Sequence, residues 1–296
     1  MSTTTVVDVD GARWIRFNRP EKRNALTLDD VATIRGAIVD LPRDVRCIVF
    51  AGSGGHFSAG ADVAAFQGES GAGRLEVAAS SVGQQMLTEL RTCQVPTIAA
   101  IEGYCVGIAM DITAVCDLRV ASTTALFSMP EVKIGLPVVG DAALFERYMG
   151  LTRAKEMLLT GRFYPARDMW HWGYLNQLTE PDCAETEAST YVEEFRALPP
   201  RTLAAQKRIF EAWLQLPHRD AARMSILEYA VTVAHPETSE WIATYKTSSA
   251  QRRASAAMSQ RQDRHERERQ FGTPGGCQGS RLQPSRGRPP LRALLC

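Results

Sequence analysis

Residues 99–117 read Ala-Ala-Ile-Glu-Gly-Tyr-Cys-Val-Gly-Ile-Ala-Met-Asp-Ile-Thr-Ala-Val-Cys-Asp, a pattern typical of a strand end, a tight turn and a helix start. The β-branched residues within 95–101 predict a buried strand, and Gly103 permits the turn that follows it. The apolar residues 106–115 then predict a helix that carries one carboxylate, Asp111. Because the first amides of a helix have no partner within it, this helix start can hold an anion.

Strand and helix patterns alternate on both sides of this stretch. The predicted elements are a hairpin turning at Asp10-Gly11, a helix begun by a capping-box variant of Thr27 and Asp30, and strands over residues 45–50, 118–120 and 125–127. Asp141 is positioned to cap a helix running to Met149, and the pattern is helical from Cys183 onward. The alternation predicts βαβ units and a mostly parallel sheet, and therefore an α/β fold.

The composition is that of an ordinary globular protein, with 45% hydrophobic residues in a chain of 296. The chain starts without a signal-peptide pattern, and no apolar run reaches the roughly 20 residues that a membrane span needs. We therefore expect a soluble, intracellular protein of the cytoplasm, with no membrane partner. The seven cysteines are scattered without metal-ligand spacing, so we expect free thiols and no metal site.

The formal net charge of +1 hides an asymmetry along the chain. Residues 251–296 hold ten arginines and three acidic residues, so this segment carries +7 and the remainder of the chain −6. The arginine, glutamine, serine, glycine and proline of the segment provide too little apolar surface for a folded core. We predict a core over residues 1–195, a helical C-terminal subdomain over 196–254 and a disordered Arg-rich tail over 255–296.

Four motifs together resemble the crotonase superfamily, the enoyl-CoA hydratase/isomerase group, in order and spacing. They are Arg19-Pro20 with Asn24-Ala25-Leu26, Phe57-Ser58-Ala59-Gly60-Ala61-Asp62, residues 99–117, and Met129-Pro130-Glu131 with Gly135-Leu136-Pro137. The resemblance covers roughly residues 5–250. Four motifs in sequence are far more specific than any one of them.

The resemblance implies a spiral of repeated βαβ units followed by a helical region that builds a homotrimer or a dimer of trimers. It implies an acyl-CoA thioester as the substrate and no cofactor beyond the CoA of that substrate. The backbone amides of Ala61 and Ile108 fall where the family places its oxyanion hole, which stabilises an enolate. The carboxyl groups of Asp111 and Glu131 fall where the family places its acid and base.

The same motifs suggest residues for binding the substrate. Lys22 and Arg23 can attract the phosphates of CoA. The small residues Ala59, Gly60 and Gly107 let a ligand approach the backbone. Asp62 closes the same loop, where its default role is to cap the next helix.

Three departures from the family pattern leave the reaction open. Asp111 stands where hydratases carry glutamate, Ile108 interrupts a run of glycines, and Glu102 replaces an asparagine. An Asp/Glu pair at Asp111 and Glu131 is similar to dienoyl-CoA isomerases, although their further aspartate has no matching position here. A double-bond isomerase or hydratase is therefore expected, with its acyl chain, regiochemistry and pathway undetermined.

Two classes of alternative stay open at this point. One is another reaction on the same scaffold, either thioester hydrolysis or C–C cleavage of a β-diketone. The other is a noncatalytic oligomeric or RNA-binding homologue that uses the basic tail. Because the tail has no aromatic stacking pattern, we expect no nucleic-acid partner.

Overall fold

The computed structural model describes residues 2–62 and 72–249. Nine strands lie within these ranges: β1 Thr5–Val9, β2 Ala12–Phe17, β3 Cys47–Gly52, β4 Thr97–Ile101, β5 Tyr104–Val106, β6 Leu118–Ser122, β7 Leu126–Ser128, β8 Tyr164–Pro165 and β9 Gln177–Thr179. Six of them form a sheet in the order β1-β2-β3-β4-β6-β9, in which only β1 pairs antiparallel to its neighbour. A second sheet has the order β5-β7-β8. The predicted mostly parallel sheet is confirmed.

The same ranges contain the helices α1 Leu28–Val39, α2 Ala72–Thr92, α3 Ile108–Val115, α4 Leu144–Thr160, α5 Ala166–His171, α6 Ala184–Arg196, α7 Pro200–Gln215 and α8 His218–Val233, and residues 236–249 are also helical. Two 3₁₀ turns, Pro20–Lys22 and Glu131–Ile134, interrupt the loops. The predicted helical character after Cys183 is confirmed in this part of the chain.

Both faces of the large sheet are covered, which explains why the central strand β3 is an apolar run. In β3, Ile48 and Phe50 belong to a core shared with α1, α2 and α3. Cys47 and Val49 point to the opposite face, where Ala188 of α6 is part of a second core. Parallel strands buried on both faces are expected to be continuous hydrophobic runs.

The capping box predicted at the start of α1 is confirmed. Thr27 Oγ1 accepts from the Asp30 amide, and Asp30 Oδ2 accepts from the Thr27 amide at 2.9 Å. The other oxygen of Asp30 accepts from the amides of Thr3 and Thr4, at 2.8 and 3.0 Å. Burial alone would raise the pKa of Asp30, but these hydrogen bonds outweigh it and lower the pKa. One carboxylate therefore fastens the first residues of the chain to α1.

The prediction that a helix runs over residues 106–115 is wrong at its beginning. Residues Tyr104–Val106 form β5, which pairs with β7, and α3 begins at Ile108 with Gly107 as its N-cap. The amide of Gly107 donates to Ser128 O at 3.0 Å, so the chain leaves the small sheet just before it turns into the helix. This shift places the free helix start at Ile108.

The chain divides into two compact units, Met1–Thr238 and Ser239–Cys296. All the numbered elements belong to the first unit, and residues 239–249 of the second are helical. The predicted region boundaries at residues 195 and 254 stay predictions, and the tail over 255–296 lies outside the described residues. Among the helices of the described ranges, none has both the length and the hydropathy needed to cross a bilayer.

The cysteines of the described residues are free, as predicted. They are Cys47, Cys93, Cys105, Cys116 and Cys183. No group of three or more His, Cys, Asp or Glu side chains in the same ranges is arranged to hold a metal ion.

Candidate active site

The candidate site lies where the loop after β3 meets the start of α3. Gly60 has a φ of +91° and Gly107 a φ of +58°, both in the left-handed region that favours glycine. A methyl group on Gly60 would lie 2.7 Å from the carbonyl oxygen of Val106 and 3.6 Å from Gly107 Cα. The two backbone segments can approach this closely because neither glycine has a side chain.

Backbone hydrogen bonds fix the two segments against each other. Ser58 N donates to Tyr104 O at 2.8 Å, and Val106 N donates to Ser58 O at 3.1 Å. Ser58 Oγ also accepts from the Gly60 amide at 3.0 Å. The fully buried Ser58 therefore joins the loop to β5 and shapes the turn at Gly60.

Two amides at this junction have no partner among the described residues. The bridge between this loop and Leu26 uses the Asp62 amide and the Gly60 carbonyl, and it leaves the Ala61 amide unused. Ile108 is the first residue of α3, so its amide has no acceptor within the helix. Ala61 and Ile108 each follow one of the two glycines in contact, and their oxyanion-hole role stays a prediction.

Asp111 lies in the first turn of α3 and is 6% exposed. Its Oδ1 atom is buried and has no hydrogen-bond partner among the described residues. Burial raises the pKa of Asp111 well above its ordinary value, and the nearby carboxyl groups of Glu131 and Asp141 raise it further. A buried carboxyl group with a strongly shifted pKa is typical of a functional site.

Glu131 reaches the junction from the other side. It begins the 3₁₀ turn after β7, and a methyl group on Gly107 would lie 2.9 Å from Glu131 Oε1. Its Oε2 atom is buried without a hydrogen-bond partner in the described part of the chain. Burial raises the pKa of Glu131 as well. The structure therefore brings Asp111, Glu131 and the two unpartnered amides to one place.

The residues predicted to contact CoA border the same loop. Lys22 and Arg23 are exposed, and the Arg23 guanidinium lies 5.1 Å from the centre of the Tyr104 ring. The Arg23 carbonyl accepts from the Ala59 amide at 2.8 Å, so this basic turn is fastened to the glycine loop. The predicted phosphate-binding role stays a prediction.

Two polar residues of the motifs have structural partners. Asp62 Oδ2 lies 2.6 Å from Arg19 Nη1, an ion pair that joins the first and second motifs. The helix that Asp62 was predicted to cap lies outside the described residues. Glu102 Oε1 accepts from the Ala184 amide at 3.0 Å, at the start of α6, where a carboxylate is favoured by the helix dipole.

The surroundings of Asp111 include two residues without a predicted role at the site. A methyl group on Gly140 would lie 3.1 Å from Asp111 Oδ2. The prediction that Asp141 caps the next helix is wrong, since α4 begins at Leu144 and Asp141 Oδ1 instead pairs with Arg91 Nη1 at 2.6 Å. No local sequence pattern connects Arg91 with a residue 50 positions later.

The family model described as enoyl-CoA hydratase/isomerase matches residues 10–247. The chain belongs to the enoyl-CoA hydratase/isomerase family. This confirms the resemblance that the four motifs indicated. The crystal structure of a putative enoyl-CoA hydratase from Streptomyces coelicolor A3(2) matches with a TM-score of 0.77 at 27% identity, over 82% of this chain and 91% of that one. The crotonase-like α/β fold with a helical C-terminal region is thereby confirmed.

The curated relatives of this family member include both hydratases and isomerases. It is 32% identical over 217 residues to a putative enoyl-CoA hydratase of Thermus thermophilus. The matched region covers 72% of this chain and 86% of that protein. It is 31% identical over 210 residues to the peroxisomal enoyl-CoA delta isomerase 3 of Mus musculus, over 69% of this chain. The chain spans 65% of the length of the mouse protein, less than two thirds.

We expect Gly107→Ala to lower the free energy of unfolding by about 1–3 kcal/mol, because alanine at this φ is strained and its methyl group meets Glu131 Oε1. Gly36→Ala is the matched control. Gly36 lies within α1 with no atom within 4 Å of the added methyl group, so this variant should gain about 0.5–1 kcal/mol. Urea unfolding measures both changes, and a Gly107→Ala protein as stable as the control would contradict the close contact.

We expect Asp111→Asn to be more stable than the wild type at pH 7, by about 1–3 kcal/mol. The pKa of Asp111 is higher in the folded than in the unfolded protein, so the wild type loses stability as the pH rises from about 4 through the folded pKa. Asparagine does not titrate, so the difference should vanish near pH 4. Urea unfolding at fixed protein concentration between pH 4 and 8 tests this, and a difference independent of pH would refute it.

Proposed function

We propose that this protein acts on an acyl-CoA thioester through an enolate, as a double-bond isomerase or a hydratase. One observation carries the proposal. Two carboxyl groups, Asp111 and Glu131, each with a buried oxygen that lacks a partner among the described residues, adjoin two amides that also lack one. Burying polar groups without partners costs folding free energy. An enolate forming between these groups would accept hydrogen bonds from the two amides and exchange protons with the two carboxyl groups.

The amides of Ala61 and Ile108 are the proposed oxyanion hole. Donors fixed in the backbone need no reorganisation when negative charge develops on the thioester oxygen, and one such donor contributes about 3–4 kcal/mol in comparable sites. The Ile108 amide also has the positive end of the α3 dipole behind it. Because the enolate is stabilised, the carbon next to the carbonyl becomes acidic enough for a carboxylate to remove its proton.

The carboxyl groups of Asp111 and Glu131 are the proposed acid and base. In an isomerisation, a carboxylate removes a proton from one carbon of the acyl chain and a carboxylic acid returns a proton to another, so the double bond moves. In a hydration, the pair holds a water whose oxygen adds to the double bond while a proton goes to the adjacent carbon. The chemistry requires no cofactor other than the CoA of the substrate.

Binding of CoA is assigned to the basic turn and the small-residue loop. Lys22 and Arg23 are exposed cations beside the loop, and they are placed to attract the CoA phosphates. Ala59, Gly60 and Gly107 leave room for the thioester to reach the amides. Asp62 holds this loop through Arg19 and supports its shape.

We also propose that the protein assembles as a homotrimer or a dimer of trimers. Helices α7 and α8 carry large apolar side chains that are each more than half exposed: Trp213, Ile226, Leu227, Tyr229 and Val231. Exposed apolar groups on adjacent helices favour an interface between protein surfaces. The cytoplasm is the proposed location, although one relative is named as a peroxisomal protein.

A panel of enoyl-CoA and dienoyl-CoA substrates, assayed in D₂O, tests the proposed reaction. Isomerisation should introduce deuterium at carbon without net addition of water, whereas hydration should add one water. Asp111→Asn and Glu131→Gln should each lower kcat by about 10²–10⁴-fold. Glu193→Gln, an exposed carboxyl group on α6, is the matched control and should keep wild-type activity.

Three outcomes would contradict the proposal. Release of free CoA from the thioester would favour hydrolysis, and shortening of a β-diketone substrate would favour C–C cleavage. No turnover of any substrate, with no protection by CoA against thermal unfolding, would exclude an acyl-CoA enzyme. In that last case, salt-sensitive RNA binding that is lost on deletion of residues 255–296 would support the noncatalytic alternative.

A further inference from the structure

A row of charged groups runs from the candidate site to the helical region, all within the first compact unit. Asp141 is 7% exposed; its Oδ1 atom pairs with Arg91 at 2.6 Å and its Oδ2 atom accepts from Gln84 Nε2 at 3.1 Å. Arg91 Nε lies 2.9 Å from Glu211 Oε2. One guanidinium therefore contacts two carboxyl groups, and Asp141 is the one beside the candidate site.

Unlike Asp141, Asp111 is surrounded by acidic groups and not by a cation among the described residues. The groups that face it are the carboxyl groups of Glu131 and Asp141, the Cys105 thiol and the backbone of Gly140. No cation pairs with Asp111 among the described residues, and its Oδ1 atom has no donor there. Negative charge in this cluster is therefore stable at Asp141, which has Arg91, and costly at Asp111, which is buried between two carboxyl groups.

Glu131 differs from Asp111 in the charges around it. It is partly exposed, whereas Asp111 is almost fully buried. Burial raises the pKa of both carboxyl groups, and because they interact, the charge of each raises the pKa of the other; Asp141 adds to the shift of Asp111. The deeper burial of Asp111 and its place beside Asp141 favour Asp111 as the group that holds the proton when the pair carries one negative charge.

We propose that Asp141, held by Arg91, is a positioning residue that keeps the proton on Asp111. This inference rests on the proposed function, in which Asp111 would then be the acid and Glu131 the base. Glu131 accepts a proton from the acyl chain, and Asp111 donates its proton to a second carbon. The cycle closes when the proton on Glu131 returns to Asp111, so no net proton is consumed. Asp141 touches neither the substrate nor the reacting atoms.

The protonation of Asp111 can be measured without a substrate. Enzyme labelled with ¹³C at the aspartate carboxyl carbons is titrated by NMR, and the Asp111 signal is assigned by its loss in Asp111→Asn. We expect Asp141→Asn to lower the midpoint of Asp111 by about one pH unit or more, since asparagine keeps the shape and removes the charge. Asp141→Ser, smaller and also neutral, should give the same direction if the asparagine variant folds poorly.

Glu211→Gln is the matched control. Glu211 contacts the same guanidinium, but it is not among the carboxyl groups whose charge raises the pKa of Asp111. The variant should therefore leave the Asp111 midpoint near its wild-type value. An Asp111 midpoint that is unchanged or raised in both Asp141 variants would overturn the proposal, and so would an equal shift in Glu211→Gln.

Kinetics separate the acid role from the proposed function itself. If Asp111 is the acid, the alkaline limb of the kcat profile should move to lower pH in Asp141→Asn by the same amount as the NMR midpoint. If the NMR midpoint of Asp111 shifts but the alkaline limb of the kcat profile does not move, the acid role of Asp111 is overturned. A wild type that turns over no acyl-CoA but shows the expected NMR shifts would contradict the proposed function and support the charge coupling.

Discussion

Two left-handed glycines, Gly60 and Gly107, bring the loop after β3 and the start of α3 into van der Waals contact. Because peptide groups are planar, the conformation of each glycine sets the direction of the following amide, which belongs to Ala61 or to Ile108. Glu131 Oε1 also lies so close to Gly107 that a side chain at position 107 would collide with it. The candidate site therefore depends on a backbone geometry that few substitutions can preserve, and this explains why small residues recur along both segments.

The helix that begins at this contact is secured from its other end. The Arg119 guanidinium is buried and donates to the carbonyl oxygens of Thr113 and Cys116, at 3.1 and 2.7 Å. A cation there satisfies carbonyls that have no partner within α3 and complements the negative end of its dipole. Tyr174 adds a hydrogen bond with Thr113 at 2.7 Å. The C-terminal end of α3 is thus held within the protein, while the Ile108 amide at its N-terminal end has no partner among the described residues.

The features that the sequence predicted correctly are those set by interactions between residues close together in the chain. The box at Thr27 and Asp30 was predictable because both partners lie within one helical turn. The oxyanion-hole role of Ala61 and Ile108 came from the family resemblance and stays a prediction. The helix start was misplaced because apolar β-branched residues suit a buried strand and a buried helix equally, and only the pairing of β5 with β7 decides between them. The role of Asp141 was missed because its partner Arg91 is brought to it by the packing of α2, a long-range contact with no local signal.

In the proposed reaction, the Ala61 and Ile108 amides polarise a thioester carbonyl. Infrared spectroscopy of butanoyl-CoA labelled with ¹³C at the carbonyl measures this directly, since stronger hydrogen bonds lower the stretching frequency. On binding, the band should move to a lower frequency than in water, because fixed donors in a buried site act more strongly than solvent. A bound carbonyl with the same frequency as the free thioester, or a higher one, would contradict the account.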